Sequence, residues 1–439
     1  MIKFIRSEKN NTIYSLNELL NTGADEICEL RSGADLTSGP DIARILIKFD
    51  INSVNSYAKL PTNVYLNLKI IEKTELGDNF EIEIFPIAED WDAGSGRFID
   101  TENNYPGSSW KFKKENLVWG NEHQNEIISG GGSWLTEITT DTNDLIKFDK
   151  TVKFVNVATD LKVNITDVFQ LWLNNTIPNY GLLLKLKNDI TIHKSSVKFF
   201  AKNTNTIYEP YLELHIEDYL FNPCNELIPE NTHFNSGSIN SGSLNTGSIN
   251  SGSLNSGSIN SGSLNSGSLN SGSLNSGSIN SGSLNSGSIN SGSINSDSID
   301  LNSTTSTTED CDENLRRLNV DEVLPKIKQI KKEYDNSSIV RINVGVREQY
   351  PVKKFENRMR FGLENYTNQK MYYSVIDAET EEIIIDYSSS TQVSCDSKGH
   401  FFTFDFNVCN LGRMYKFLIK TENESYSDVH IDNRIFKVI

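Results

Sequence analysis

The sequence predicts an all-β chain in three parts: a sandwich, a solenoid and a second sandwich. Three observations lead there. Short apolar runs, several alternating with polar residues, recur over 1–218 and again over 331–439. Between them, Asn235 to Ile299 repeats one pentad thirteen times. Helical periodicity is confined to one stretch, 164–172.

Composition narrows the function classes. At 439 residues the chain is long enough for several domains. Its 41 Lys and Arg against 58 Asp and Glu leave a net charge of −17. That charge repels phosphate backbones, so no nucleic-acid partner is expected. An apolar fraction of 37% beside 10% aromatics fits folded domains diluted by a polar segment. The five cysteines (Cys28, Cys224, Cys311, Cys395, Cys409) are scattered, without a Cys-x-x-Cys pair, which points to a reducing compartment. No apolar leader follows Met1, and no run is long enough to span a bilayer, so no membrane insertion is expected.

In the first domain, 1–218, strands are expected at 45–49, 64–68, 80–85, 182–184 and 197–200. Many strands and few helices suggest a jelly-roll β-sandwich. The helix at 164–172 takes Asn164 or Thr166 as its cap and turns Val168, Leu171 and Trp172 to one face. All five tryptophans lie in this domain. Two chemistries are candidates. Glu89, Asp90 and Asp92, with Asp100, supply the oxygens a calcium ion wants, or form a solvated acidic turn. Trp91, Trp110 and Trp134 offer faces for glycan stacking, or pack in the core. No catalytic residue is indicated, and no cofactor beyond calcium. The six histidines match no metal or triad motif, and Gly130-Gly131-Gly132 lacks the lysine and spacing of a phosphate loop.

The order of pieces resembles the DNRLRE domain. Those pieces are 43–50, Glu89-Asp90-Trp91, Ser109-Trp110, 165–172, 179–185, 197–201 and 209–214. The resemblance implies a jelly roll related to carbohydrate-binding modules. Ala201 departs from the usual Phe-x-Ser, and the stretch around 130–132 reads as an insertion.

After a connector at 219–234 comes the repeat, 235–300. Its aliphatic positions are Ile239, Leu244, Ile249, Leu254, Ile259, Leu264, Leu269, Leu274, Ile279, Leu284, Ile289, Ile294 and Ile299. Period five scatters these around an α-helix and alternates them across a strand. Glycine in every pentad also opposes a helix, by about 1 kcal/mol each. A solenoid with one short side per pentad puts every aliphatic inside, with Gly, Asn and Ser at the corners. The Asn-x-Gly-x-aliphatic pattern resembles the Asn/Gly-rich pentapeptide-repeat proteins. That resemblance implies a four-sided β-helix with four pentads per coil, in one chain or an intertwined trimer. A flexible Ser/Gly linker is the alternative.

A polar linker is expected at 301–330, in which 323–331 is a connector strand, a basic edge or a solvated connector. The last part, 331–439, packs about seven expected strands into about a hundred residues, as an immunoglobulin-like sandwich does. A hairpin turn is expected at 377–381. Residues 410–415 resemble the fibronectin type III corner, in which Leu411 and Tyr415 would pin a loop. The whole segment resembles C-terminal domains of tailed-phage virion proteins.

These parts lead to one expectation and two alternatives. The expectation is a non-enzymatic structural or adhesive component of a tailed-phage virion, assembled in the host cytoplasm. Its partners would be other virion proteins, further copies of itself and a host-surface glycan. The alternatives are a carbohydrate-binding surface module and a glycan-cleaving enzyme, which needs a paired-carboxylate groove.

Overall fold

The computed structural model describes residues 1–35, 39–57, 59–74, 79–100, 106–120, 130–140, 144–155, 160–187, 189, 194–223, 315–318, 322–350, 364–423 and 427–439, with short strand pieces between 244 and 285. It is mostly β. Among the described residues the single α-helix is α1, Thr166–Leu173.

The N-terminal sheets are organised by one long strand, β1 (Ile2–Tyr14). Its first half pairs antiparallel with Tyr211–His215, and its second half pairs antiparallel with Ala43–Phe49. The register shifts between Ser7 and Lys9, where the strand changes partner. An irregularity of this kind bends a strand and lets it serve two sheets. On one side follow Asn63–Leu68 and Leu161–Asn164; on the other follow Leu182–Leu186, Asn79–Pro86 and Lys150–Val155. Asn63–Leu68 alternates as a half-buried strand should, with Val64, Leu66 and Leu68 inside. Leu182–Leu186 is buried throughout, because neighbouring strands and packed layers cover both faces.

Helix α1 corrects two details. Asn164 Oδ1 accepts the Thr166 N–H at 3.0 Å, and the Thr166 hydroxyl accepts the Val64 N–H at 2.9 Å. The N-cap position is Ile165, which makes no side-chain cap bond, and Thr166, inside the first turn, ties the helix to a strand instead. The buried face is Val168, Phe169 and Trp172, with Phe169 in the place expected of Leu171.

Within the repeat, Leu244 pairs with Leu264, Leu264 with Leu284 and Ile259 with Ile279, all in parallel. Every such step is twenty residues, which is four pentads. The strand pieces therefore form the parallel ladder of a β-solenoid. The other aliphatic positions, from Ile239 to Ile299, lie outside the described residues.

The C-terminal part is two sheets facing across an aromatic core. One holds Val323–Ile327, Ile339–Glu348, Gly399–Asp405 and Ser394–Asp396; the other is centred on Lys370–Asp377, Met414–Glu422 and Phe436–Val438. Phe402, Phe404, Phe406, Phe417 and Phe436 meet between them. The hairpin across 377–381 is present, with Lys370–Asp377 paired to Ile383–Ile385. The segment 323–327 is a paired edge strand rather than a solvated connector, because Val323 and Ile327 are core residues, as is Leu318. At the corner, the Tyr415 hydroxyl accepts the Asn410 N–H at 2.7 Å, whereas Leu411 is 65% exposed and pins nothing.

Candidate functional site

A cleft with a volume of about 380 Å³ lies in the N-terminal part. Strand β2, Ile27–Ser32, supplies its floor, and the turn carrying Phe98 and Ile99 supplies its rim. Tyr14 closes β1 against both, its ring edge-on to Phe98 at 5.0 Å.

A polar chain organises the floor. The Tyr14 hydroxyl donates to Glu29 at 3.3 Å. Arg31 reaches Glu29 at 2.8 Å and Asp41 at 3.1 Å, with its guanidinium over the Tyr14 ring. These contacts lock two carboxylates and one cation into a fixed array. Asp25 accepts the Phe98 N–H at 3.1 Å and so anchors the rim. Burial raises the Asp25 carboxyl above its usual range, against the opposing pull of that hydrogen bond and Arg97. Burial likewise raises the Tyr14 hydroxyl, with the Glu29 charge adding to it, so it stays a donor. Phe98 and Ile99 remain 46% and 87% exposed. An exposed ring above fixed donors and acceptors suits a hydroxyl-rich ligand with one apolar face.

The candidates read from sequence are placed elsewhere. Trp91, Trp110 and Trp134 are 0%, 1% and 4% exposed, so none offers a face to a glycan. Their surroundings explain this. Trp91 Nε1 donates to the Tyr180 carbonyl at 2.8 Å. Trp110 and Trp134 flank the fully buried Arg44, each ring centre 5.0 Å from its guanidinium. Arg44 also reaches Asp189 at 2.9 Å and the Gly131 carbonyl at 2.9 Å. Gly131 sits at φ 83°, and a Cβ there would lie 2.7 Å from Trp110, so the three glycines are a tight wrap around this pair.

The acidic turn is neutralised by lysines. Glu89 takes Lys113 and, at 2.6 Å, the Gly120 N–H. Asp90 takes Lys114 at 2.6 Å and Lys9 at 3.7 Å, and Asp92 lies 3.8 Å from Lys114. Burial works against the charged forms of Glu89 and Asp90, yet the lysines hold both below the usual carboxylate range. Asp100 is spent on the Arg97 N–H at 2.7 Å. The calcium expectation thus gives way to a lysine-bridged knot. Among the described residues no cluster of three or more His, Cys, Asp or Glu could hold a metal ion. No described helix is long and apolar enough to cross a membrane.

The cleft itself was missed from sequence, since 14, 25–31, 97–99 and 198 meet only through folding. One signal was available: Phe98 follows Gly94-Ser95-Gly96-Arg97, a turn in which an aromatic has little reason to be buried.

Comparison with known families places the middle of the chain. The family described as Pentapeptide repeats (8 copies) matches residues 233–268 and 260–298. That span of the chain is similar to pentapeptide repeats, in agreement with its twenty-residue ladder. No curated protein matches the chain.

Proposed function

We propose that this chain is a non-enzymatic structural or adhesive component of a tailed-phage virion, such as a fibre, neck or tail appendage, baseplate or head decoration. The observation that carries the reading is the combination of two β-bodies with a parallel ladder in steps of twenty residues. Rigid repetitive β-modules hold spacing in a particle and need no active site. The finer fold assignments follow the same reading: a DNRLRE-like jelly roll first and an immunoglobulin-like sandwich last. Partners would be other virion proteins, and assembly would occur in the host cytoplasm. Antibody against the purified protein should decorate tailed particles from the source culture, with label at a constant site. Label confined to the particle-free fraction would overturn the proposal.

A second reading is favoured by the Tyr14–Phe98 cleft: a carbohydrate-binding surface module. Glycan-array binding that is lost in Phe98→Ala would support it, and an array without hits would remove it.

A further inference from the structure

The two β-bodies are not held apart by the repeat. Ile2 and Phe4 of β1 belong to the C-terminal hydrophobic core, although β1 is a strand of the N-terminal sheets. Phe4 stacks on Tyr211 at 4.3 Å beneath that core. Polar contacts frame this apolar plug. Lys3 pairs with Asp405 at 3.1 Å, and Arg6 bridges Glu209 at 2.8 Å and Asn410 at 2.9 Å. Further out, Lys69 reaches Glu382 at 2.5 Å, and the Tyr208 hydroxyl donates to the same carboxylate at 3.3 Å.

The chain leading into the repeat lies on the C-terminal sheets as well. Cys395 N–H donates to the Leu220 carbonyl at 2.8 Å, and Asn222 N–H donates to the Cys395 carbonyl at 2.8 Å. The chain returning from the repeat meets the same end. Leu315–Arg317 pairs in parallel with Glu364–Tyr366, and Leu318 N–H donates to the Tyr366 carbonyl at 2.7 Å. One histidine links the two roots. His400 pairs with Cys395 across the strands, and its Nε2 accepts the Thr367 N–H at 3.0 Å.

We infer that the two β-bodies form one docked unit, and that the repeat is a side insertion rooted at one end of its C-terminal half. This goes beyond the proposed function, since it holds whether the particle is a phage or not. It rules out an axial shaft with one body at either tip. The surface that joins the bodies is therefore an intramolecular interface, built by Ile2, Phe4, Lys3 and Arg6 on one side and by Asp405 and Asn410 on the other.

Distance measurement by pulsed electron spin resonance tests this on the full chain. Spin labels go on Lys153→Cys and Lys398→Cys, both exposed, with Cys224 and Cys311 changed to serine. A narrow distance is expected, and it should be unchanged when four pentads are added to the repeat. A second variant lacking 235–299 should give the same distance. An axial spacer would instead lengthen by about 4.8 Å per added coil, and a tether would give a broad distribution that contracts on deletion. Either result overturns the inference. Should the deletion fail to fold, the insertion variant decides alone.

Discussion

The two cores solve the same packing problem in opposite ways. The C-terminal core is an aromatic cluster, with Phe417 stacked on Phe436 at 4.8 Å and edge-on to Phe404 at 5.1 Å. The N-terminal core buries a full charge, Arg44, between two tryptophans and answers it with Asp189 and a backbone carbonyl. The aromatic core is stabilised by area and tolerates change in proportion to volume removed. The charged core is held by mutual dependence, since either ion alone is costly in low dielectric. The comparison teaches that similar burial can rest on additive or on all-or-none contributions.

The largest expected effect breaks the charged core. Arg44→Met leaves Asp189 buried without its cation and should cost about 3–5 kcal/mol in urea unfolding. Adding Asp189→Asn should recover a good part of that loss; independent, additive costs would show that the pair is not coupled. Phe404→Leu in the aromatic core should cost about 1–2 kcal/mol, with no second site able to restore it.

Acid sharpens the contrast. Burial holds His400 down to about 4 from its usual 6.5, with its Nε2 already used as an acceptor. The unfolded chain therefore binds the extra proton first. Stability from this residue is full above pH 6.5 and is lost as pH falls toward 4. The loss should be on the order of 2 kcal/mol at pH 5. Burial lowers His430 too, so it acts in the same direction, and the His400→Gln variant isolates the first contribution. An unchanged pH slope in that variant would count against the assignment. The smallest effect lies at the rim: Phe98→Ala should shift stability by less than about 0.5 kcal/mol, as for other exposed sites. A larger shift would place that ring in the core.

Local signals were readable and distant ones were not. The pentad predicted the repeat because its period is a property of adjacent residues, and the ladder of Leu244, Leu264 and Leu284 follows from it. Alternation likewise revealed Val64, Leu66 and Leu68. The tryptophans left two readings open, and the core one holds, because an aromatic beside acidic residues looks the same in sequence whether it faces water or a buried arginine. Lys113, which neutralises Glu89, lies 24 residues away from it, and no short-range pattern links the two. Ile2 and Phe4 alternate with Lys3 and Ile5 as any strand would, and nothing nearby says that their neighbours are some four hundred residues distant.

The change of partner at Ser7–Lys9 gives β1 a mechanical role. Its first half is hydrogen-bonded into one sheet, its second half into another, and two of its side chains lie in the other body's core. A pull along β1 would load both ladders in shear, with many bonds sharing the force, whereas peeling would break them singly. A tug between the two bodies must extract Ile2 and Phe4 while straining both sheets, so the joint is toughest along the strand's own axis.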